Sequence, residues 1–152
     1  MAPDRSAIEV RAAAARDLAP VRELLSQAGL PTEGLEDQFG ERYAVAEVGS
    51  NLVGAIGVEV HGRSGLLRSA VVAPLHRGTG LGRQLTRERI AWAERQGLDA
   101  LYLLTTTAAP FFARLGFAHV PRASAPAELQ ASREFATICG SSAVCMRLAL
   151  RG

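Results

Sequence analysis

SAVVAPLHRGTGLGRQL, residues 69–85, decides how this chain of 152 residues is read. An apolar run ends at Pro74, the glycines Gly78, Gly80 and Gly82 follow, and a helix-like stretch opens at Leu81. Glycines let backbone N–H groups converge on an anion, because no Cβ obstructs the approach. The helix that follows adds N–H groups with no partner inside it and the positive end of its dipole. Arg77 can add a charge-assisted bond to a phosphate oxygen. The competing reading is a tight structural turn between strand and helix. Two common phosphate loops are excluded. The mononucleotide loop requires a lysine, and all 17 basic residues here are arginine. The dinucleotide fingerprint requires a glycine where Arg83 stands, and it sits early in a parallel unit.

The elements on either side supply the context. IEVRAA (8–13) reads as a first strand, and Asp17 can cap a helix by accepting a backbone N–H. Leu18, Val21, Leu24, Leu25 and Ala28 recur at helical spacing, and Gly29 stops the run. PTEGLEDQF (31–39) is expected to form a second short helix. RYAVAEV and NLVGAIGVEV are strands joined by a GSN turn, and GLLRSAVVAP (65–74) is another. Leu81, Leu85 and Trp92 share one stripe of the next helix, which stops at Gly97. ALYLLT (100–105) is a strand, 107–115 a helix ending at Gly116, and FAHV and AVCMRLAL are final strands. APAELQASREFA (125–136) between them forms a helical excursion. The order β-α-α-β-β-β-α-β-α-β-β places antiparallel strands before a strand–helix–strand crossover. That crossover implies one parallel pair in a mixed sheet.

Length and composition bound the rest. The length suits one domain spanning 1–152. The net charge of +2 makes no case for a nucleic acid partner. No apolar run approaches the roughly 18 residues of a membrane span, and MAPDRSAIEV has no secretion signal. Cys139 and Cys145 are too few for a disulfide framework, which points to reduced thiols in a cytoplasmic protein. No metal site is expected.

With its neighbours, the glycine stretch resembles the acetyl-CoA-binding segment of the GNAT acetyltransferases: an apolar strand, a short link, then Arg77, Gly80 and Gly82. TTTAAPFFARLGF (105–117) resembles that family's second signature, a helix ending in an aromatic, two variable residues and LGF. The resemblance implies an α/β (α+β) GNAT fold. This is a mixed, mostly antiparallel sheet with one parallel strand pair splayed around the cofactor and helices on both faces. It also implies acetyl-CoA as cosubstrate. The backbone N–H groups of Gly78, Thr79, Gly80, Leu81, Gly82 and Arg83, with the Arg77 side chain, would cradle the pyrophosphate. Ala70, Val71 and Val72 would offer backbone groups to the pantetheine arm. Thr105 stands where family members often carry an Asn that contacts the cofactor.

Amine acetylation needs a base to accept a proton and benefits from an acid at the departing thiolate. The developing oxyanion can be held by a strand N–H, here that of Val72. Many members of the family place a Tyr on the penultimate helix as the acid; the matching residue is Phe112, which has no proton to give. Tyr102 and Cys145 are the nearby substitutes. The position of the family's basic Glu is Leu66. Glu59 is the substitute base, the alternative being a solvated strand residue, and His61 reads as a surface or turn histidine. Alternation puts Leu66, Arg68 and Val72 on one sheet face. Arg68 can fork onto an acceptor carboxylate, or pair with a structural acid such as Glu59. Thr106 and Thr107 can bond an oxyanionic substrate, with one of the three threonines capping the next helix.

LLRSAVVAP, LYLLTTTA, FFARLGF and EFATICGSSAVCM together resemble the arsenic-resistance N-acetyltransferase subfamily. That resemblance implies a small amino-acid-like acceptor bearing a carboxylate, including phosphinic or arsinic amino acids. Cys139 and Cys145 can hold trivalent arsenic or serve as small buried apolar residues. The alternative is a GNAT module that binds acetyl-CoA as a sensor or partner without turnover. A third option is acetylation of a protein N-terminus or a polyamine, and Arg68 would repel the polyamine. Members of the family often dimerise, and 121–143 can shape a substrate lid or a homodimer interface.

Overall fold

Strand-forming runs separated by short glycine turns build one mixed sheet of seven strands, in the order β1-β2-β3-β4-β5-β7-β6, flanked by helices. The computed structural model describes residues 8–132, 135 and 143–150. Its strands are β1 (Glu9–Ala12), β2 (Tyr43–Val48), β3 (Asn51–His61), β4 (Ser64–Val72), β5 (Ala100–Thr105), β6 (Ala118–Val120) and β7 (Val144–Ala149). Its helices are α1 (Leu18–Gln27), α2 (Leu81–Arg95), α3 (Ala109–Ala113) and α4 (Ala127–Gln130). One pair, β4 with β5, is parallel, as the crossover through α2 requires. The chain divides into two compact units, one of residues up to Gly57 with Ser69–Arg87, the other of Val58–Arg68 with residues from Glu88 on.

In the first unit β1 pairs antiparallel with β2, from Glu9 opposite Glu47 to Ala12 opposite Ala44. β2 pairs antiparallel with β3, from Tyr43 opposite Gly57 to Val48 opposite Asn51, with a bulge between Ala46 and Glu47. Val21 and Leu25 of α1 are buried against Tyr43, Val45, Ala55 and Val71. Gly57 is required by its neighbour: a Cβ there would sit 2.2 Å from the Tyr43 ring. Asp17 does not cap α1 through its side chain. Its carboxylate accepts the Ala14 N–H at 2.7 Å and the forked guanidinium of Arg11 at 2.8 and 3.1 Å. The competing Arg11 partner ties the strand to the helix entry instead. The helix expected over 31–39 is a single 3-10 turn, Leu35–Asp37. Gly34, at φ 74°, turns the chain left-handed and stops any helix from running through it.

In the second unit the parallel ladder is short, running from Ser64 opposite Ala100 to Leu66 opposite Tyr102. β5 then pairs antiparallel with β7 along its whole length, and β7 with β6. The last strand in sequence thus lies between β5 and β6. Leu66, Ala100, Tyr102 and Cys145 form a core closed by Ala125, Leu129 and Phe135 of the following segment. Of the helical excursion expected over 125–136, residues 125–132 and 135 are described, and α4 occupies Ala127–Gln130 of them. Cys139, and with it the expected lid or interface over 121–143 beyond Ser132, lies outside the described residues apart from Phe135 and Ala143.

Candidate active site

The loop after β4 begins with a 3-10 turn, Pro74–His76, set up by the fixed φ of proline. Gly78 and Gly80 then adopt φ 77° and 87°, the left-handed region that other residues enter at a cost. Nothing lies within 4 Å of a Cβ built on either, so backbone conformation rather than space selects glycine here. The Thr79 hydroxyl closes the loop by donating to the His76 carbonyl at 2.6 Å. The first bond of α2 runs from Gln84 N–H to the Gly80 carbonyl at 3.0 Å. The N–H groups of Leu81, Gly82 and Arg83 therefore have no acceptor inside the helix. Leu81 is buried and anchors the turn, while Gly78, Thr79, Gly80 and Arg83 are exposed. Arg77 is exposed, and its Nε donates to the Val72 carbonyl at 3.1 Å. That bond leaves the two terminal nitrogens of the guanidinium fork to face an anion. His76 Nδ1 is buried with no hydrogen-bond partner beside this loop. Left-handed glycines, free helix N–H groups and an exposed arginine suit a pyrophosphate in charge and donor geometry.

A small cavity opens in the same unit, lined by Leu24, Gln27 and Ala28 of α1, by Val71–Pro74 and by Arg77. Val71 is buried, Val72 half-buried and Ala70 exposed. Leu24 and Ala28 were legible only as members of a helical stripe, and Gln27 was not singled out. Their place beside the end of β4 depends on how α1 crosses the sheet, which no local spacing encodes.

The second unit holds a charged cluster. Arg68 Nη1 donates to Glu59 Oε2 at 2.7 Å, with the two side chains 1% and 7% exposed. His61 Nε2 lies 3.0 Å from Glu59 Oε1, with the ring 19% exposed. Burial works to raise the Glu59 pKa, but the bonds from His61 and Arg68 outweigh it and hold the carboxyl below its usual value. Glu59 is thus an ionised carboxylate with both oxygens engaged. Ser69, next to Arg68, has φ 60°. It interrupts the period-two alternation on which the expected common face of Leu66, Arg68 and Val72 depends. Sequence gave no sign of this kink, because serine is an ordinary strand residue.

Thr105, half-buried at the end of β5, accepts the Ala108 N–H at 3.0 Å and supports the start of α3. Thr106 and Thr107 are exposed. Phe112 is buried edge-on between Phe111 and Phe117, with ring centroids 5.0 and 5.6 Å away. Tyr102 is buried and its hydroxyl accepts from Arg147 Nε at 3.2 Å. Cys145 is buried, and burial pushes its thiol pKa up, away from the reactive thiolate. Among the described residues no group of three or more His, Cys, Asp or Glu side chains is placed to hold a metal ion. No described helix is long and apolar enough to cross a membrane.

The chain is similar in fold to N-acetylglutamate synthase from Neisseria gonorrhoeae, solved with coenzyme A and N-acetyl-glutamate. That match has a TM-score of 0.81 at 21% identity and covers 97% of this chain but 36% of the synthase chain. Rv2747 from Mycobacterium tuberculosis, solved with CoA and NLQ, matches with a TM-score of 0.79 at 22% identity, covering 94% and 99% of the two chains. The ribosomal-protein-S18-alanine N-acetyltransferase from Escherichia coli matches with a TM-score of 0.74 at 19% identity, covering 96% of each. No curated protein matches the sequence. The family model described as the acetyltransferase (GNAT) domain matches residues 39–119, from just before β2 into β6, and so spans the glycine loop and the parallel pair. The chain therefore belongs to the GNAT acetyltransferase family.

Proposed function

We propose that residues 1–152 act as one acetyl-CoA-dependent N-acetyltransferase domain whose acceptor is the amino group of a small anionic amino acid. The observation that carries this reading is the loop from Arg77 to Arg83. Two left-handed glycines, the open N-terminus of a 15-residue helix and an exposed guanidinium form a donor set for a pyrophosphate. Ala70, Val71 and Val72 would line the pantetheine arm, with the Val72 N–H facing the developing oxyanion, and a small cavity opens beside Val71 and Val72. Acetyl-CoA brings the activated thioester; the chain's residues orient it and take up the proton of the acceptor.

The acceptor side rests on the cluster centred on Glu59, and on Thr105, Thr106 and Thr107. Arg68 contributes positive charge and holds Glu59. Two of the solved structures carry CoA together with a small ligand, N-acetyl-glutamate in one of them, which supports an amino-acid acceptor. Phosphinic and arsinic amino acids belong in the panel of acceptors, because they add a second oxyanion to the same skeleton. The test follows free thiol released from acetyl-CoA with a panel of amino acids, including these, alongside calorimetry with coenzyme A. Release with an anionic amino acid and none with polyamines is the expected result. Phe112 favours a second reading, a module that binds acetyl-CoA without turnover, because it leaves no phenol for the thiolate. Coenzyme A binding without release from any acceptor would establish that second reading.

A further inference from the structure

Arg77 is placed to do two things at once. Its Nε donates to the Val72 carbonyl at 3.1 Å, and its terminal nitrogens are left for a phosphate. The Val72 carbonyl and the Ala73 N–H belong to one planar peptide group. The Ala73 N–H donates to the Val53 carbonyl of β3 at 2.8 Å. That peptide is therefore pinned at both ends, by β3 on one side and by Arg77 on the other. The strand gives it little further support. Val72 is the last residue of β4, Pro74 has no N–H to extend the ladder, and Ser69 kinks the strand at φ 60°. Only the two dihedrals of Val72 separate the pinned plane from the Val72 N–H. The same bond borders the small cavity, whose lining includes Val72, Ala73, Pro74 and Arg77. All of these residues lie in one compact unit.

We propose that Arg77 couples the phosphate cradle to the Val72 N–H: a phosphate on its terminal nitrogens fixes the guanidinium, and Nε then holds the Val72 peptide in place. This rests on the acetyltransferase reading above, in which the Val72 N–H meets the developing oxyanion. Arg77 is then a positioning residue for Val72 as well as a ligand of the pyrophosphate. An oxyanion donor works by being held in position beforehand. Arg77 is exposed, and the entropy of its long side chain opposes the bond to Val72 while the cradle is empty. A bound pyrophosphate removes that freedom. The phosphates, remote from the thioester, thus raise kcat as well as affinity, because their binding energy serves orientation. Two substitutions separate the roles. Lysine places a methylene where Nε stands and its ammonium where the guanidinium carbon stands, so the charge stays and the Val72 bond goes. Glutamine places its amide nitrogen where Nε stands, so the bond stays and the charge goes.

The experiment compares wild type, Arg77→Lys and Arg77→Gln with an amino acid acceptor from the panel above. The donors are acetyl-CoA and acetyl-pantetheine, which lacks the phosphates, the second with and without ADP. Thiol release gives kcat and KM, and calorimetry gives coenzyme A affinity. Amide hydrogen exchange at Ala73 is followed by NMR with ADP alone. Wild-type kcat on acetyl-pantetheine is expected to lie about 10- to 100-fold below that on acetyl-CoA, with part recovered by ADP. Arg77→Lys is expected to lose a similar factor in kcat on acetyl-CoA, to keep most of its coenzyme A affinity and to gain nothing from ADP. Arg77→Gln reverses the split: affinity falls, and kcat at saturation stays above that of Arg77→Lys. ADP slows Ala73 exchange in wild type and not in Arg77→Lys. An Arg77→Lys protein with wild-type kcat, or Ala73 exchange that ADP leaves unchanged in wild type, would overturn the coupling and leave Arg77 a phosphate ligand only. Wild type that binds coenzyme A but releases no thiol overturns the enzyme reading instead, and the exchange measurement then decides the coupling.

Discussion

Ser69 and Glu59 show how much a single side chain can depend on its surroundings. Ser69 holds a left-handed conformation inside a strand, which costs of order 1–3 kcal/mol and persists only where neighbours impose it. A β-branched residue tolerates it worse, so Ser69→Val is expected to lower stability by about 1–2 kcal/mol in urea unfolding, while Ser69→Gly does not. Glu59→Gln leaves Arg68 buried beside a neutral amide, and a loss of about 3 kcal/mol is expected in the same measurement. A smaller loss than 1 kcal/mol would mean that water reaches the pair. Sequence reading had both outcomes for Arg68, a substrate fork or a structural partner. In the structure one guanidinium nitrogen bonds Glu59 across the β3–β4 hairpin, nine residues apart in sequence, and the substrate fork stays a proposal.

At the scale of elements, the glycine loop and the β2–β3 hairpin make opposite uses of glycine. In the loop there is space for a side chain but the backbone is left-handed. Gly80→Ala can relax out of that conformation when coenzyme is absent, and must be forced back when it binds. An affinity loss of about tenfold is expected by calorimetry, from the 1–2 kcal/mol cost of a left-handed L-residue, with little change in Tm. At Gly57 the backbone is ordinary but the Tyr43 ring fills the space. Gly57→Ala is expected to cost about 1–3 kcal/mol of stability and nothing in coenzyme affinity. Both glycines look alike in the sequence. The helix stripe was legible through Leu81, Leu85 and Trp92, all buried. Arg89 on the same stripe was not, although it is 1% exposed, lies 4.8 Å from the Trp92 ring and bonds Glu88. Periodicity marks a buried position by an apolar residue and misses a cation that a tertiary site has made room for.

For the whole molecule, stability against acid follows chiefly from two buried carboxylates, one in each compact unit. The bonds of Arg11 hold Asp17 below its usual value against the effect of burial, and Glu59 is also lowered. The unfolded chain therefore binds more protons than the folded one as pH falls through the ordinary carboxylate values of 3.8 and 4.5. Their contribution is complete above that range and is lost as pH falls through the lowered values. Tm should be level between pH 7 and 5.5 and drop below about 4.5, and Asp17→Asn or Glu59→Gln should flatten the drop. By itself the sequence determined the strands and longer helices, the strand–helix–strand crossover and the glycine loop, because these rest on side-chain period and on backbone sterics within a few residues. Only the tertiary structure decided that β7 lies between β5 and β6, that α1 helps line the cavity at the end of β4, and that His61, Glu59 and Arg68 form one hydrogen-bonded cluster. Those outcomes depend on strand register and helix crossing, where one residue of slip changes every partner, and local sequence does not record them.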